Sequence, residues 1–202
     1  MKLIYGVGIN DADYTVQLRK TLYGTGSSRV RKLIWQCPYY SRWRSMLQRC
    51  YSNKYLLKNS SYLGCSVCEE WLTFSKFKKW MEQQDWEGKD LDKDILGDGK
   101  LYSPQTCVFI QKEINTFLCS SLRKRGSCRI GVSFRIQTGK YEAKIKDPFS
   151  GKTIWLGSYL SEDDAYSAWL ENKLAFADTL CLKLNVDTYL TYKIKEHISN
   201  LK

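Results

Sequence analysis

The chain has 202 residues, is 43% hydrophobic, and carries 32 Lys and Arg against 21 Asp and Glu, a formal charge of +11. That length buries a real core in one domain or two small ones, the apolar content excludes a disordered tail, and the charge favours a polyanionic partner. No run reaches the ~18 apolar residues that span a bilayer, and Met1–Tyr14 holds one Lys and no apolar core of signal length, so a cytoplasmic, unexported protein with no membrane partner is expected.

Residues 1–60 carry eleven Lys and Arg against Asp11 and Asp13, a net of +9. Within them, CPYYSRWRSMLQRCYS predicts a helix: Pro38 suits its first turn, and Trp43, Met46, Leu47, Cys50 and Tyr51 follow the 3.6-residue period. Arg42, Arg44 and Arg49 lie off that stripe, as a solvated face or as contacts to a phosphate backbone. Cys65-Ser66-Val67-Cys68 is the one CxxC of the chain. A zinc site there would need Cys37, Cys50 or Cys107 to complete it. The favoured reading of the eight cysteines is instead small, mostly buried thiols. EEWLTFSKFKKWMEQQ predicts a second helix, capped by Thr73 or Ser75, with Phe74, Phe77, Trp80 and Met81 buried.

Residues 61–118 hold seven basic and ten acidic residues, a net of −3. Here KDLDKDI predicts a strand, LGDGKLYSP a turn, TCVFI a second strand and QKEINTFL a helix. A strand running through Asp94 points Asp92 and Asp94 to one face, where they can share one Mg²⁺; the alternative is a solvated acidic turn that includes Asp98. CSSLRKRGSCR then reads as a basic linker or DNA-tracking arm, with Arg123 and Arg125.

Residues 119–160 carry nine basic and two acidic residues, a net of +7. IGVSFRIQ, KYEAKIK and TIWLGSYL predict three strands separated by turns. In KYEAKIK, Lys140, Glu142, Lys144 and Lys146 alternate with Tyr141, Ala143 and Ile145, so one face is charged and the other fit to pack on a helix. Arg135 and Lys152 extend the positive face. SEDDAYSAWLENKLAFADTL predicts the helix, with Ser161 as N-cap, Asp164 three residues on, and Ala165, Ala168, Trp169, the Lys173 stem and Phe176 along one side. NVDTYLTYKIKEHISNLK predicts a last helix and contains the sole histidine, His197, read as an exposed helix residue.

Residues 129–178 resemble the APETALA-type domain of plant ethylene-response factors. Gly131-Val132, Arg135, Gly139-Lys140-Tyr141, Asp147-Pro148, Trp155-Leu156-Gly157 and the helix start at Glu162–Ala168 carry the likeness. The resemblance implies a three-stranded sheet laid into the major groove with one helix behind it, and DNA contacts from Arg135, Lys144, Lys146, Thr153 and Trp155. Tyr141 stands where that family usually has Trp, Lys144 where plant members often have Glu, and Thr153 where they have Arg.

The preceding domain resembles phage proteins of the HNH class, through KDLDKDILGDGKLYSPQTCVFIQKEIN and the two aromatic helices before it. In that class an Asp-His pair ends the first strand, an Asn lies near the second, and a further Asn or His sits on the helix. The His takes a proton from water, and a divalent cation neutralises the leaving oxygen. On this chain Asp92 takes the metal position, Lys93 the His position, Thr106 the strand Asn position and Asn115 the helix position.

The expected fold is therefore α+β: an HNH-like ββα-metal domain (1–118), a basic linker (119–128), and a three-stranded antiparallel sheet packed on one helix (129–202). Three functions follow. One is a Mg²⁺-dependent nicking endonuclease on double-stranded DNA, using Asp92, Lys93 and Asn115 with metal held by Asp92 and Asp94. Another is an inactive HNH-like scaffold whose two basic blocks grip duplex DNA, as a sequence-specific binding or regulatory protein with contacts from Arg135, Lys140, Tyr141, Lys144, Lys146, Lys152, Thr153 and Trp155. The weaker third is a protein-binding factor acting on host machinery.

Overall fold

The computed structural model describes residues 3–25, 29–119 and 127–201. They form a mixed α+β chain with six α-helices and small sheets, one of them three-stranded and antiparallel. The chain divides into two units, Met1–Phe109 and Ile110–Lys202. Among the described residues, no helix is long and apolar enough to cross a membrane.

The first unit opens with a ribbon that no sequence expectation covered. β1 (Gln17–Tyr23) pairs antiparallel with β2 (Val30–Gln36), with irregular register at two points. The Cys37 amide donates to the Val16 carbonyl at 2.9 Å, and both residues are buried, so the base of the ribbon is anchored in the core.

α1 (Pro38–Tyr51) begins on Pro38, whose missing N–H falls where a helix has no partner for it. Of its expected stripe, Trp43, Met46, Leu47 and Cys50 are buried and Tyr51 is half-buried, and Tyr40 joins the buried set. A short helix α2 (Asn53–Leu56) and strand β3 (Ser66–Val67) follow.

The second expected helix is split. Glu69–Leu72 is a 3-10 turn, and α3 runs only over Phe74–Met81. The cause is the N-terminal segment: the Ile9 amide donates to the Leu72 carbonyl (2.8 Å), and the Phe74 amide donates to the Ile9 carbonyl (2.9 Å), pinning the backbone around Thr73 in an extended form. Thr73 stands at the N-cap position of α3, as one of the two expected caps, but its side chain makes no capping hydrogen bond. Asp11 caps the helix from a distance, accepting from the Ser75 amide (2.9 Å) and the Ser75 hydroxyl (2.5 Å). Burial alone would raise the Asp11 carboxyl, but these bonds outweigh it and hold it below the usual range.

Trp43, Trp71, Phe74, Phe77 and Met81 form the centre of this core, and the buried Trp43 indole donates to the Trp71 carbonyl at 2.7 Å. β4 (Lys89–Asp92) and β6 (Val108–Gln111) form one two-stranded sheet. β5 (Leu101–Tyr102), within the expected turn, pairs parallel with β3 in another.

In the second unit, α4 (Lys112–Leu118) precedes the three-stranded sheet. β7 (Val132–Arg135), β8 (Lys140–Lys146) and β9 (Thr153–Tyr159) lie in the order β7-β8-β9, all antiparallel. α5 (Glu162–Lys183) packs on this sheet. Ser161 caps it, its hydroxyl oxygen accepting from the Asp164 amide at 3.1 Å, and three acidic residues fill the first turn as the helix dipole favours.

α5 buries Ala165, Tyr166 and Trp169 against Ile130 and Ile145. Lys173 contributes more than its stem: its ammonium donates to the Phe117 carbonyl at 2.6 Å, and burial pushes its pKa down to about 8. At the far end, Asn185 adopts φ +52° and the Val186 amide closes on the Cys181 carbonyl (3.0 Å). α6 (Thr188–Ser199) then starts on Asp187, which accepts from the Leu190 amide at 2.8 Å.

Gly131 sits at φ +78°, and a Cβ there would run into the Trp169 ring. Strain and collision therefore coincide at the point where β7 meets α5. Gly131→Ala is expected to destabilise the second unit by about 3 kcal/mol. Urea unfolding followed by tryptophan fluorescence and circular dichroism checks this; a wild-type midpoint would refute it.

Candidate functional site

Cross-strand register decides which side chains share a face of the β7–β9 sheet. On β8, Ala143 and Ile145 are buried, which turns Lys140, Glu142, Lys144 and Lys146 to the opposite side. Opposite them stand Arg135 and Ser133 on β7, and Ser158, Trp155 and Thr153 on β9. An irregularity between Ala143 and Lys144 keeps Trp155 in step with Lys144 and Thr153 with Lys146. Six expected contact residues, Arg135, Lys140, Lys144, Lys146, Thr153 and Trp155, thus share one outer face. Trp155 is 60% exposed.

Two expected contacts fall elsewhere. Tyr141 belongs to the helix-side face by the same alternation, half-buried, its ring 5.0 Å from that of Phe134. Aromatic packing, not an outward surface, claims it. Lys152 is exposed in the β8–β9 turn, whose backbone is closed by the Asp147 amide donating to the Lys152 carbonyl at 2.8 Å. Arg123 and Arg125 lie outside the described residues.

Sequence reading treated Glu142 as one more charge on this face; its position makes it the organising one. Its carboxylate accepts from Arg135 Nε and Lys144 Nζ, each at 2.9 Å, and the side chain is only 15% exposed. Its pKa is held below the usual glutamate range, first by the Lys144 bond and then, against a smaller opposing effect of burial, by the Arg135 bond. Glu142 therefore fixes two cations in place while neutralising part of their charge. The i, i+2 spacing of Glu142 and Lys144 was legible in the sequence; the Arg135 partnership required the register.

The three α1 arginines, expected as phosphate contacts, are engaged within the first unit. Arg42 donates to the Lys89 carbonyl (2.6 Å) and pairs with Asp90 (3.3 Å). Arg44 lies 5.3 Å over the Tyr5 ring, and Arg49 5.7 Å over that of Tyr62.

Around Asp92 the structure departs from the expected strand. β4 ends at Asp92, because the Asp92 carboxylate accepts from the Asp94 amide (2.8 Å) and the Ile95 amide (3.0 Å) and turns the chain. Asp92 and Asp94 are therefore not alternating residues of one strand. Lys93 is 6% exposed, with its ammonium donating to Asp94 Oδ1 at 2.7 Å and lying 5.5 Å over Tyr62 and 5.7 Å over Tyr102. Burial alone would push this lysine down, but the Asp94 bond and charge outweigh it and hold its pKa above the ordinary range. At neutral pH Lys93 is a cation and cannot take a proton from water.

Gly99, at φ +75°, is the residue that lets the loop close on Asp94: a Cβ would fall 2.6 Å from Asp94 Oδ1. Thr106, at the class Asn position, closes its own turn by donating to the Leu101 carbonyl (2.6 Å) and accepting from the Ser103 amide (3.1 Å). Asn115 lies on α4 in the second unit.

A divalent cation shared by Asp92 and Asp94 would meet carboxylates that already have partners. One Asp92 oxygen is taken by two amides and one Asp94 oxygen by an ammonium that a metal would have to displace. Among the described residues, no three His, Cys, Asp or Glu side chains gather as a metal group. Cys65 is buried, its thiol 3.6 Å from the Gly99 carbonyl, and burial raises the Cys68 thiol. Burial pushes the Cys50 and Cys107 thiols up to about 12. No family model matches the chain, and neither curated proteins nor solved structures give a match.

The Lys93–Asp94 pair generates a stability test. Asp94→Asn leaves a buried ammonium without its carboxylate and is expected to destabilise the first unit by about 1–3 kcal/mol, discounted because Asp94 is 48% exposed. Lys93→Met combined with Asp94→Asn should recover most of that loss, as a double-mutant cycle in urea at pH 7 measures; additive single effects would refute the pairing. Because the folded pKa of Lys93 is raised, the pair's contribution is full below the ordinary lysine value of 10.5 and fades as pH rises through the folded value.

Proposed function

We propose that the protein binds double-stranded DNA through the outer face of the β7–β9 sheet, with the segment around Asp92 serving as scaffold and not as a hydrolytic centre. The observation that carries this is the register: one face gathers Arg135, Lys140, Lys144 and Lys146 with Thr153 and an exposed Trp155. Lysines and arginine at strand spacing meet successive phosphates, and release of the counterions they replace drives association. Phosphate contacts of this kind set position, while Thr153 and Trp155 offer a hydroxyl and an apolar edge to base edges in the groove. The strand order and the helix behind the sheet support the likeness to the APETALA-type domain. The β4, β6, α4 order supports the likeness to the HNH class as an ancestry.

Two features weigh against hydrolysis at Asp92. The residue at the general-base position is a buried, protonated lysine, and the acids that would hold Mg²⁺ are engaged by backbone amides and by that lysine. The nicking reading stands as the rival, and supercoiled plasmid incubated with Mg²⁺ or Mn²⁺ separates the two. Intact plasmid is expected; nicking that chelator or Asp92→Ala abolishes would overturn the scaffold reading.

For binding itself, Lys144→Glu with Lys146→Glu should weaken duplex affinity at least about tenfold at ~0.1 M salt and flatten its salt dependence. Glu142→Gln should act oppositely, tightening binding about three- to tenfold by releasing Arg135 and Lys144 to phosphate. Fluorescence anisotropy with mixed-sequence duplex measures both. An unchanged affinity in the lysine pair variant would remove the sheet face from the interface.

A further inference from the structure

We propose that the β1–β2 ribbon is a second duplex-DNA contact, an arm that enters the major groove; the inference rests on the DNA-binding reading above. Residues 14–37 contain Arg19, Lys20, Arg29, Arg31 and Lys32 and no acidic residue. Every ribbon residue except Gln17 and Gln36, at its base, is exposed. Lys20 stands directly opposite Lys32, while Arg19 and Arg31 occupy the other face, facing Leu33 and Thr21.

Like charges directly opposite one another destabilise a strand pair. Among the described residues no ion pair relieves them: the ion pairs present join Arg42, Lys78, Lys89, Lys93, Arg129, Arg135, Lys144, Lys193 and Lys195 to acids. Of the α1 arginines in the same basic block, Arg42 pairs with Asp90 and Arg44 and Arg49 lie over the Tyr5 and Tyr62 rings, while Arg19, Lys20, Arg31 and Lys32 set four cations on the exposed ribbon.

A lone two-stranded ribbon is marginal in water. This one also exposes Leu18, Leu22, Leu33, Ile34 and Trp35 between its cations. A partner that covers it must therefore carry anions at strand spacing and accept apolar contact, as phosphates and thymine methyls do together. Seven residues per strand span roughly 23 Å, and a two-stranded ribbon with side chains fits the ≈12 Å width of the major groove.

Lys20→Ala with Lys32→Ala tests this, with affinity for mixed-sequence linear duplex measured from about 50 to 200 mM salt. The slope of log K against log salt should shrink by about 1.8, some 0.9 for each phosphate that is no longer neutralised. Removal of a like-charge pair should leave thermal stability equal or higher, so weakened binding cannot be ascribed to unfolding. Trp35→Ala serves as a second variant and should weaken binding without changing the slope. A wild-type slope in the lysine variant, with the Lys144→Glu, Lys146→Glu variant impaired in parallel, would overturn the ribbon alone. No duplex binding by the full chain would overturn the sheet reading with it. Self-association that Trp35→Ala abolishes, with the DNA slope untouched by the lysine changes, would overturn the DNA arm and assign the ribbon to a protein partner.

Discussion

Burial of Ala143 and Ile145 beneath α5 is the constraint on which the second unit turns. Side chains on a strand alternate, so sealing two β8 residues against a helix commits Lys140, Glu142, Lys144 and Lys146 to the other side. Cross-strand pairing then extends that commitment to Arg135, Thr153 and Trp155. The close approach this requires explains the small residues at the contact: Gly131 beneath the Trp169 ring, with Ala143 and Ala165 fully buried. A one-residue slip would bury lysines and expose the isoleucine, so the same packing energy that stabilises the unit also determines its charged surface.

The Asp92 turn illustrates how electrostatics limits chemistry. A histidine at position 93 could be neutral at physiological pH and accept a proton. A lysine enclosed by Tyr62 and Tyr102 could be neutral only if burial dominated its environment. Asp94 at 2.7 Å prevents that, because the pair is more stable charged than neutral. The lysine compensates an adjacent acid beside a turn that Asp92 closes with two amide bonds. Lys173 shows the reverse outcome in the second unit. It too is drawn inward, but it finds a carbonyl and not a carboxylate, and burial pulls its pKa down to about 8.

Legibility in the sequence followed the range of the interaction. α1, α5 and α6 were readable because Pro38, Ser161 and Asp187 mark their starts and apolar residues repeat along them. The three strands of the second unit were readable as β-rich runs between turns, and alternation in KYEAKIK placed Lys140, Glu142, Lys144 and Lys146 on one face; Thr153 and Trp155 came only from the resemblance to the APETALA-type domain. What escaped depended on distant residues. Asp11 capping α3, Ile9 splitting it at Thr73, and Tyr102 reaching Lys93 join positions that no local pattern connects. Tyr141 is a different case: its alternation with the lysines was visible and set it on the helix-side face, while its inclusion among the DNA contacts came from likeness to a family position. The ribbon also had a local signal, two β-rich runs, QLRKTLY and VRKLIWQ, on either side of the turn-prone Gly-Thr-Gly-Ser-Ser, which the dense basic residues obscured.

Formal charge by segment is therefore a starting quantity from which internal pairs must be subtracted. The N-terminal block of +9 includes Arg42, which is held by the Lys89 carbonyl and Asp90, and Arg44 and Arg49, which lie over the Tyr5 and Tyr62 rings, whereas Arg19, Lys20, Arg31 and Lys32 stand exposed on β1 and β2. The block of +7 includes Arg135 and Lys144, both held by Glu142, and Arg129, held by Asp163 and stacked on Tyr166. Pairing of the second kind does not remove a cation from use. Glu142 positions Arg135 and Lys144 on an open face where phosphate can compete for them, whereas Arg42 is bound at the edge of a strand by a carbonyl and a carboxylate together. The two arginines differ in how far the partner leaves the guanidinium facing solvent: Arg135 is 53% exposed and Arg42 31%.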